Sequence, residues 1–188
     1  MPVITEQEQV GEQLRRLRAE QGLSVRTLAS RAGFSPSFIS QVENGQVSPS
    51  ISSLERIAAV LGVTLAGFFG RWGNLTGTVM RSNQPQEMSS SWSRARIESL
   101  CPASGESSLD AVMITIEPGG RSGTQASSHA GEEFAFAYQG EVILTLGSES
   151  LVLSQGDAAS FSSDRPHLWE NSGHEAAQIV IVSPRFTH

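Results

Sequence analysis

The run Gly33-Phe34-Ser35-Pro36-Ser37-Phe38-Ile39-Ser40-Gln41-Val42-Glu43-Asn44-Gly45 decides how the first part of the chain folds. A serine oxygen can accept an orphan N–H at a helix start, and proline at the first helical position loses no bond. Ser35-Pro36 therefore opens a helix, which runs through Phe38, Ile39 and Val42 and leaves at Asn44-Gly45 by a left-handed residue. On the N-terminal side, Gly33 ends a short helix that Ser24 caps and that carries Leu28 and Ala29. Before it, Val10, Leu14 and Leu17 recur at helical spacing between Glu6 and Gln21, and Gly22 closes that helix. On the other side, Ser48-Pro49-Ser50 introduces a fourth helix with Ile51, Leu54, Ile57, Ala58 and Leu61 on one stripe. Thr64 then caps a short fifth one with Leu65, Phe68 and Phe69. Residues 1–70 thus read as all-α, with five helices. Two short helices joined by Ala32-Gly33-Phe34 suit either a helix-turn-helix, its third helix in a major groove, or a small bundle that binds another protein.

Composition narrows the class. The 188 residues are 38% apolar and 17% charged, so the chain is neither disordered nor membrane-embedded by composition. No apolar run approaches the roughly 20 residues of a bilayer span, and Met1-Pro2-Val3-Ile4-Thr5-Glu6 lacks a signal-peptide core, which sets the expectation of a soluble, cytoplasmic protein. Cys101 stands alone, which excludes an intramolecular disulfide framework and a Cys-rich zinc module. The net charge of −6 is unevenly spread: residues 1–72 and 73–98 each carry +1, and residues 99–188 carry −8. All thirteen basic residues are arginine. Such asymmetry points to two domains with different partners, and an acidic total leaves DNA binding open, because only the surface that meets phosphate must be positive.

A boundary is expected at residues 71–76, with Trp72 and Trp92 packing the linker against a domain. Beyond it, Thr78-Val79-Met80 and Arg94–Ile97 look like short strands, with a loop at Ser89-Ser90-Ser91 between them. Clearer strands follow at Ala111–Ile116, Glu133–Tyr138, Glu141–Leu146, Ser150–Leu153, Ala158–Phe161 and Ala177–Val182. Gly- and Asn-containing turns divide them, and regularly spaced short strands without intervening helices indicate an antiparallel sandwich or barrel.

The N-terminal motifs are carried at many fixed spacings over residues 8–70: Gly22-Leu23-Ser24, Leu28-Ala29, Gly33-Phe34-Ser35, Ile39 to Gly45, Pro49-Ser50-Ile51 and Leu54. Together they resemble the helix-turn-helix of phage repressors and XRE-type regulators. The resemblance implies a double-stranded DNA operator. It places Ser35, Pro36, Ser37 and Gln41 at the start of the reading helix, Asn44 and Gln46 at phosphate contacts in the loop after it, and Arg26 on a phosphate beside the second helix. Glutamine can bond N6 and N7 of one adenine, whereas Pro36 offers no side-chain donor. Arg18 and Glu43 resemble the family's ion pair between first and third helices.

Residues 76–184 resemble the cupin family, a small β-barrel of jelly-roll type. Gly119-Gly120, His129, Glu133 and Gly140 follow its first motif, with Ser127 where a histidine belongs; Gly156-Asp157, Phe161, Pro166-His167 and Asn171 follow the second. The resemblance implies that His129, Glu133 and His167 either hold one divalent metal (zinc, iron, manganese or nickel) or contact an organic effector. Four residues of extended strand span about 13 Å, so Ala130-Gly131 must bend the chain for His129 and Glu133 to meet. Ligating histidines must be neutral, so metal affinity is expected to fall below about pH 6.5. Ser127, Phe136, Tyr138, Phe161 and Trp169 are candidates to line an effector pocket, the four aromatics being equally suited to packing.

The full expectation is a two-domain chain: an all-α five-helix repressor-like helix-turn-helix domain at 1–70, a linker at 71–76 and an all-β cupin barrel at 77–188. Its combination resembles ligand-responsive, homodimeric transcriptional regulators that act on DNA and have no membrane partner. The alternative is a non-haem iron oxidase or epoxidase with a helical accessory domain, similar to hydroxypropylphosphonate epoxidase. That class implies a lysine-and-tyrosine clamp on its substrate, and this chain contains no lysine.

Overall fold

A computed structural model describes residues 6–65, 68, 86–90, 93–101 and 109–184. Four helices come first: α1 (Glu6–Glu20), α2 (Val25–Ala32), α3 (Pro36–Glu43) and α4 (Ile51–Val60). Each of α2, α3 and α4 starts at the serine expected to cap it. Ser24, Ser35 and Ser50 accept from the N–H groups of Thr27, Phe38 and Ser53. At the exit of α3 the left-handed residue is Gly45 (φ +67°), while Asn44 stays at φ −96°. Of the expected fifth helix, Leu65 and Phe68 are helical and the Phe68 N–H donates to Thr64 at 2.8 Å. Its other residues, the segment 71–76, Thr78–Met80, Trp72 and Trp92 lie outside the described residues, so four helices stand where five were expected.

The helices close around Leu14, Leu28, Ile39, Ile51, Leu54, Ile57 and Leu61, all fully buried. Gly11 sets how closely α1 approaches α3, since a Cβ there would run into the carbonyls of Val42 and Glu43. Arg18 ties the same pair of helices: its Nε and Nη2 donate to the two carboxylate oxygens of Glu43 at 2.5 and 2.9 Å, and its Nη1 to the Leu23 carbonyl at 2.8 Å.

Among the described residues nine antiparallel strands follow: β1 (Gln86–Ser90), β2 (Ala95–Ser99), β3 (Leu109–Ile116), β4 (Glu132–Gln139), β5 (Glu141–Leu146), β6 (Glu149–Ser154), β7 (Ala158–Ser162), β8 (His167–Glu170) and β9 (Ala177–Pro184). They form a six-stranded sheet in the order β1-β2-β3-β9-β4-β7 and a three-stranded sheet in the order β6-β5-β8. Ile97, Ile114, Ala135, Leu144, Trp169 and Ile179 fill the core between them. Two strands depart from expectation. Ser89 and Ser90 belong to β1, which pairs with β2 from Gln86↔Ser99 to Ser90↔Ala95; a polar segment becomes a strand because its backbone finds a partner. β8 has four residues, too few to display a period, yet it pairs with β5 from Ile143↔Glu170 to Leu146↔His167.

Helix α4 is seated on the β part. The Ser52 N–H, one of the orphan donors of the first turn, donates to the Ser122 carbonyl at 3.0 Å. A side chain at Gly123 would collide with Ser52, so the close approach needs glycine. Thr64 bonds Asp110, and the Ser127 hydroxyl donates to Glu55.

Glu43 is buried and holds Arg18 through two hydrogen bonds, so Glu43→Ala strands a mostly buried guanidinium. The expected cost is about 3 kcal/mol, read as a lower urea midpoint of the helical signal at 222 nm.

Candidate metal centre and nucleic-acid interface

The residues expected to meet DNA share one exposed region. Ser37 and Gln41 stand one turn apart on the open face of α3, Arg26 is exposed at the second position of α2, and Asn44 and Gln46 are exposed in the loop after α3. Ser35 and Pro36 are exposed too, although the Ser35 oxygen is committed to its cap on Phe38. Arg15 Nη2 donates to Asn44 Oδ1 at 2.6 Å, which turns the amide NH2 group into the donor edge of that side chain. The turn between α2 and α3 is held from below by Arg56 of α4, which sequence reasoning did not single out. Its guanidinium lies 4.3 Å from the centre of the Phe34 ring and donates to the carbonyls of Ala32 (2.7 Å) and Gly33 (3.2 Å). Phe34 in turn stacks on Phe38 at 4.8 Å.

In the β part, His129, Glu133 and His167 do converge, with one ligand-capable atom from each lying within 4.8 Å of the others. The expected bend exists: Gly131 takes φ +112°, a backbone conformation that favours glycine. It returns the chain so that His129 Nε2 lies 2.9 Å from Glu133 Oε1. His167 arrives from β8, its Nε2 3.9 Å from Glu133 Oε2. Both rings are oriented through their other nitrogen. His167 Nδ1 bonds the Arg165 carbonyl at 3.0 Å and His129 Nδ1 the Ala130 carbonyl at 3.4 Å. Those bonds turn Nε2 of each ring toward the centre, where His129 Nε2–H donates to Glu133 in the metal-free protein and would give up that proton to ligate a cation. His167 Nε2 and Glu133 Oε2 are buried without any hydrogen-bond partner. Orphaned acceptors of this kind are costly, and a divalent cation would satisfy both. Two imidazoles and a carboxylate suit the borderline metals zinc, iron, manganese and nickel.

The other expected pocket residues divide. Phe161 pairs in register with Glu133, and its ring lies 5.4 Å from that of His167, so it flanks the centre. Trp169 is buried in the core, 6.2 Å behind Phe161. Phe136 and Tyr138 do not join the centre. In β4 the buried positions are 133, 135 and 137, so strand alternation turns Phe134, Phe136 and Tyr138 to the opposite face, where Tyr138 is 53% exposed. Ser127 is beside the site, its N–H and C=O paired with His167 at 3.0 and 2.8 Å. Asn171 is structural: its amide donates to the carbonyls of Ile116 and Glu175, both at 2.8 Å.

Glu55 is the residue the sequence reading missed. It projects from α4 into the same space, is buried, and accepts from Ser127. Burial pushes its carboxyl above the usual carboxylate range; the nearby His167 opposes that rise, Glu133 adds to it, and the Ser127 bond and His129 oppose it. The signal lay in its position, four residues after Ile51 and three before Ala58 on the buried stripe of α4.

Residues 9–67 match the family described as "Helix-turn-helix domain", and residues 112–183 match "Cupin domain". The chain is 27% identical over 170 residues to the HTH-type transcriptional regulator PuuR of Escherichia coli (strain K12), which covers 90% of this chain and 91% of that relative. It is an XRE-type helix-turn-helix transcriptional regulator with a cupin domain. The crystal structure of an HTH_3 family transcriptional regulator from Vibrio cholerae superposes on the regulator with a TM-score of 0.75 at 27% identity, covering 95% of this chain and 98% of that one. The iron(II) form of HppE shares the fold at a TM-score of 0.50 and 21% identity, covering 95% and 100%. That likeness is of fold alone, and the epoxidase alternative yields to the regulator.

His129 is perturbed by its neighbours in the metal-free protein. Desolvation lowers its pKa, but the bond and charge of Glu133, aided by the charge of Glu55, prevail and raise it to about 9. In metal-free protein a raised folded-state pKa means that the His129–Glu133 pair stabilises fully below about pH 6.5 and is lost as pH rises through about 9. The gap in urea midpoint between EDTA-treated wild type and His129→Ala should therefore close between pH 6 and pH 9.5. A constant gap would show that the pair does not titrate there.

Proposed function

We propose that the regulator acts in the cytoplasm as a homodimer on a near-palindromic operator, and that its β domain senses a small molecule through a bound divalent cation. The domain limits that go with this reading are 1–70 for the DNA-binding part, 71–76 for the linker and 77–188 for the sensor. The observation that carries it is the pairing, in one chain, of an open α3 face with a buried His129–Glu133–His167 centre whose acceptors lack partners. Arg26, Ser37, Gln41, Asn44 and Gln46 would supply the contacts: Gln41 and Ser37 to base edges, the others to phosphate. Ser35 and Pro36 would set the start of the reading helix against the backbone.

His129, Glu133 and His167 would hold the cation, which supplies a fixed positive charge and open coordination positions for an acidic or hydroxylated effector. Phe161 would bound that space. The residues contribute orientation: Gly131 sets the angle between two ligands, and the Arg165 carbonyl fixes the ring of the third. Effector binding would favour one of two dimer geometries, which requires different affinities for the two. The outward aromatic row of β4, with Phe134 44% and Tyr138 53% exposed, supports a subunit interface on the β domain. No helix among the described residues is long and apolar enough to cross a membrane.

Gln41→Ala should cost about 1–3 kcal/mol at one base pair of the operator and flatten the preference there. Binding to a set of single-base operator variants reads this directly; an equal loss on every variant would assign Gln41 to backbone positioning instead. Sedimentation should show a dimer at micromolar concentration, with reading helices about 34 Å apart on bound DNA. A protein that stays monomeric with and without operator would end the dimer reading.

A further inference from the structure

We propose that Glu55, on helix α4 of the DNA-binding part, is a fourth ligand of the cation held by His129, Glu133 and His167, so that the centre is shared between the two domains. The inference rests on the cation site proposed above and adds to it a residue from the other half of the molecule.

Three observations place Glu55 there. Its carboxylate accepts from Ser127, whose backbone is paired in both directions with His167, and it lies close enough to feel the charges of His167, Glu133 and His129. Glu55, His129 and Glu133 line one cavity of about 40 Å³ together with Ala58, Val63 and Ile181. That is room for an ion with a water or two beside Glu55. Four acidic residues, Glu55, Asp110, Glu132 and Glu133, line this space with no lysine or arginine beside them, and of these Glu55 comes from α4 and Glu133 from β4. Buried acidic groups are tolerated when paired or when they coordinate a metal. Two carboxylates and two imidazoles make a donor set that a divalent cation satisfies.

The placement has a regulatory consequence. Glu55 and Arg56 are neighbours on α4 and face different partners: Glu55 enters the centre, while Arg56 holds the Ala32–Phe34 turn that sets α2 against α3. Whatever draws Glu55 toward the cation also loads the helix that carries the reading head. Cation occupancy and the seating of the DNA-binding domain are then linked, each biasing the other.

The test is Co2+ titration of the metal-free full-length chain, followed by its visible absorption, with hydrogen exchange of residues 51–60 as a second readout. His167→Ala should lose the site. Glu55→Gln keeps the size and the Ser127 bond but removes the anionic ligand. It should bind Co2+ more weakly by on the order of tenfold or more, with an altered band, and should lose the Co2+-induced protection of α4 seen in wild type. Glu55→Gln with wild-type affinity and band would overturn the shared centre and leave the three-residue site standing. Slowing of α4 exchange in both proteins would likewise remove Glu55 from the link. Failure of wild type to take up Co2+ would overturn the cation site and the proposal with it.

Discussion

The carboxylate of Glu55 is buried between two halves of the molecule, and that placement constrains everything around it. An acidic group removed from water needs a donor or a cation, and here the donor is Ser127. For Ser127 to reach it, α4 must sit directly on the β sheets. That approach accounts for Gly123 opposite Ser52, for the Ser52 N–H spent on Ser122, and for the Thr64–Asp110 bond at the far end. The junction is polar at its centre and small-residue at its rim, which positions α4 more strictly than an apolar contact of the same area would. A greasy interface tolerates sliding, whereas a buried hydrogen bond does not.

Helix α4 therefore has two jobs on adjacent residues. Its outer side braces the helix-turn-helix through Arg56, which satisfies the carbonyls that α2 leaves open at its end. Its inner side reaches the centre of the β domain. In most of the core the side chains are Leu, Ile and Ala, and they transmit position only by packing. Glu55 and Arg56 fix it by directed bonds, to Ser127 on one side and to the Ala32 and Gly33 carbonyls on the other.

The centre itself is assembled by local geometry more than by charge. Gly131 reverses the chain so that residues four apart meet, and two backbone carbonyls orient the imidazoles from behind. The acidic excess of residues 99–188 leaves the DNA-facing work to the first domain, whose arginines and exposed amides surround α3. A negative β domain beside a nearly neutral helical domain also disfavours the wrong face meeting phosphate.

The sequence by itself determined helices α1 to α4, the turn between α2 and α3 and most strands, which are written in local signals: Ser24, Ser35 and Ser50 before apolar periods, Gly33 and Gly45 after them. The grouping of His129, Glu133 and His167 came from the resemblance to the cupin motifs. Phe136 and Tyr138 were expected in the pocket and turn outward instead, although their alternation with Glu133 along one strand already carried that signal. The tertiary structure decided what depends on partners distant in the chain. Gln86–Ser90 and His167–Glu170 are strands only because β2 and β5 lie beside them with unpaired backbone. Glu55 reads as one more charge on a helix until the barrel closes over it. Ser127 reads as a missing ligand until a carboxylate 72 positions away in the chain comes to rest on it. Such contacts have no periodicity to announce them, because they are set by how two folded units meet and not by the pattern within either.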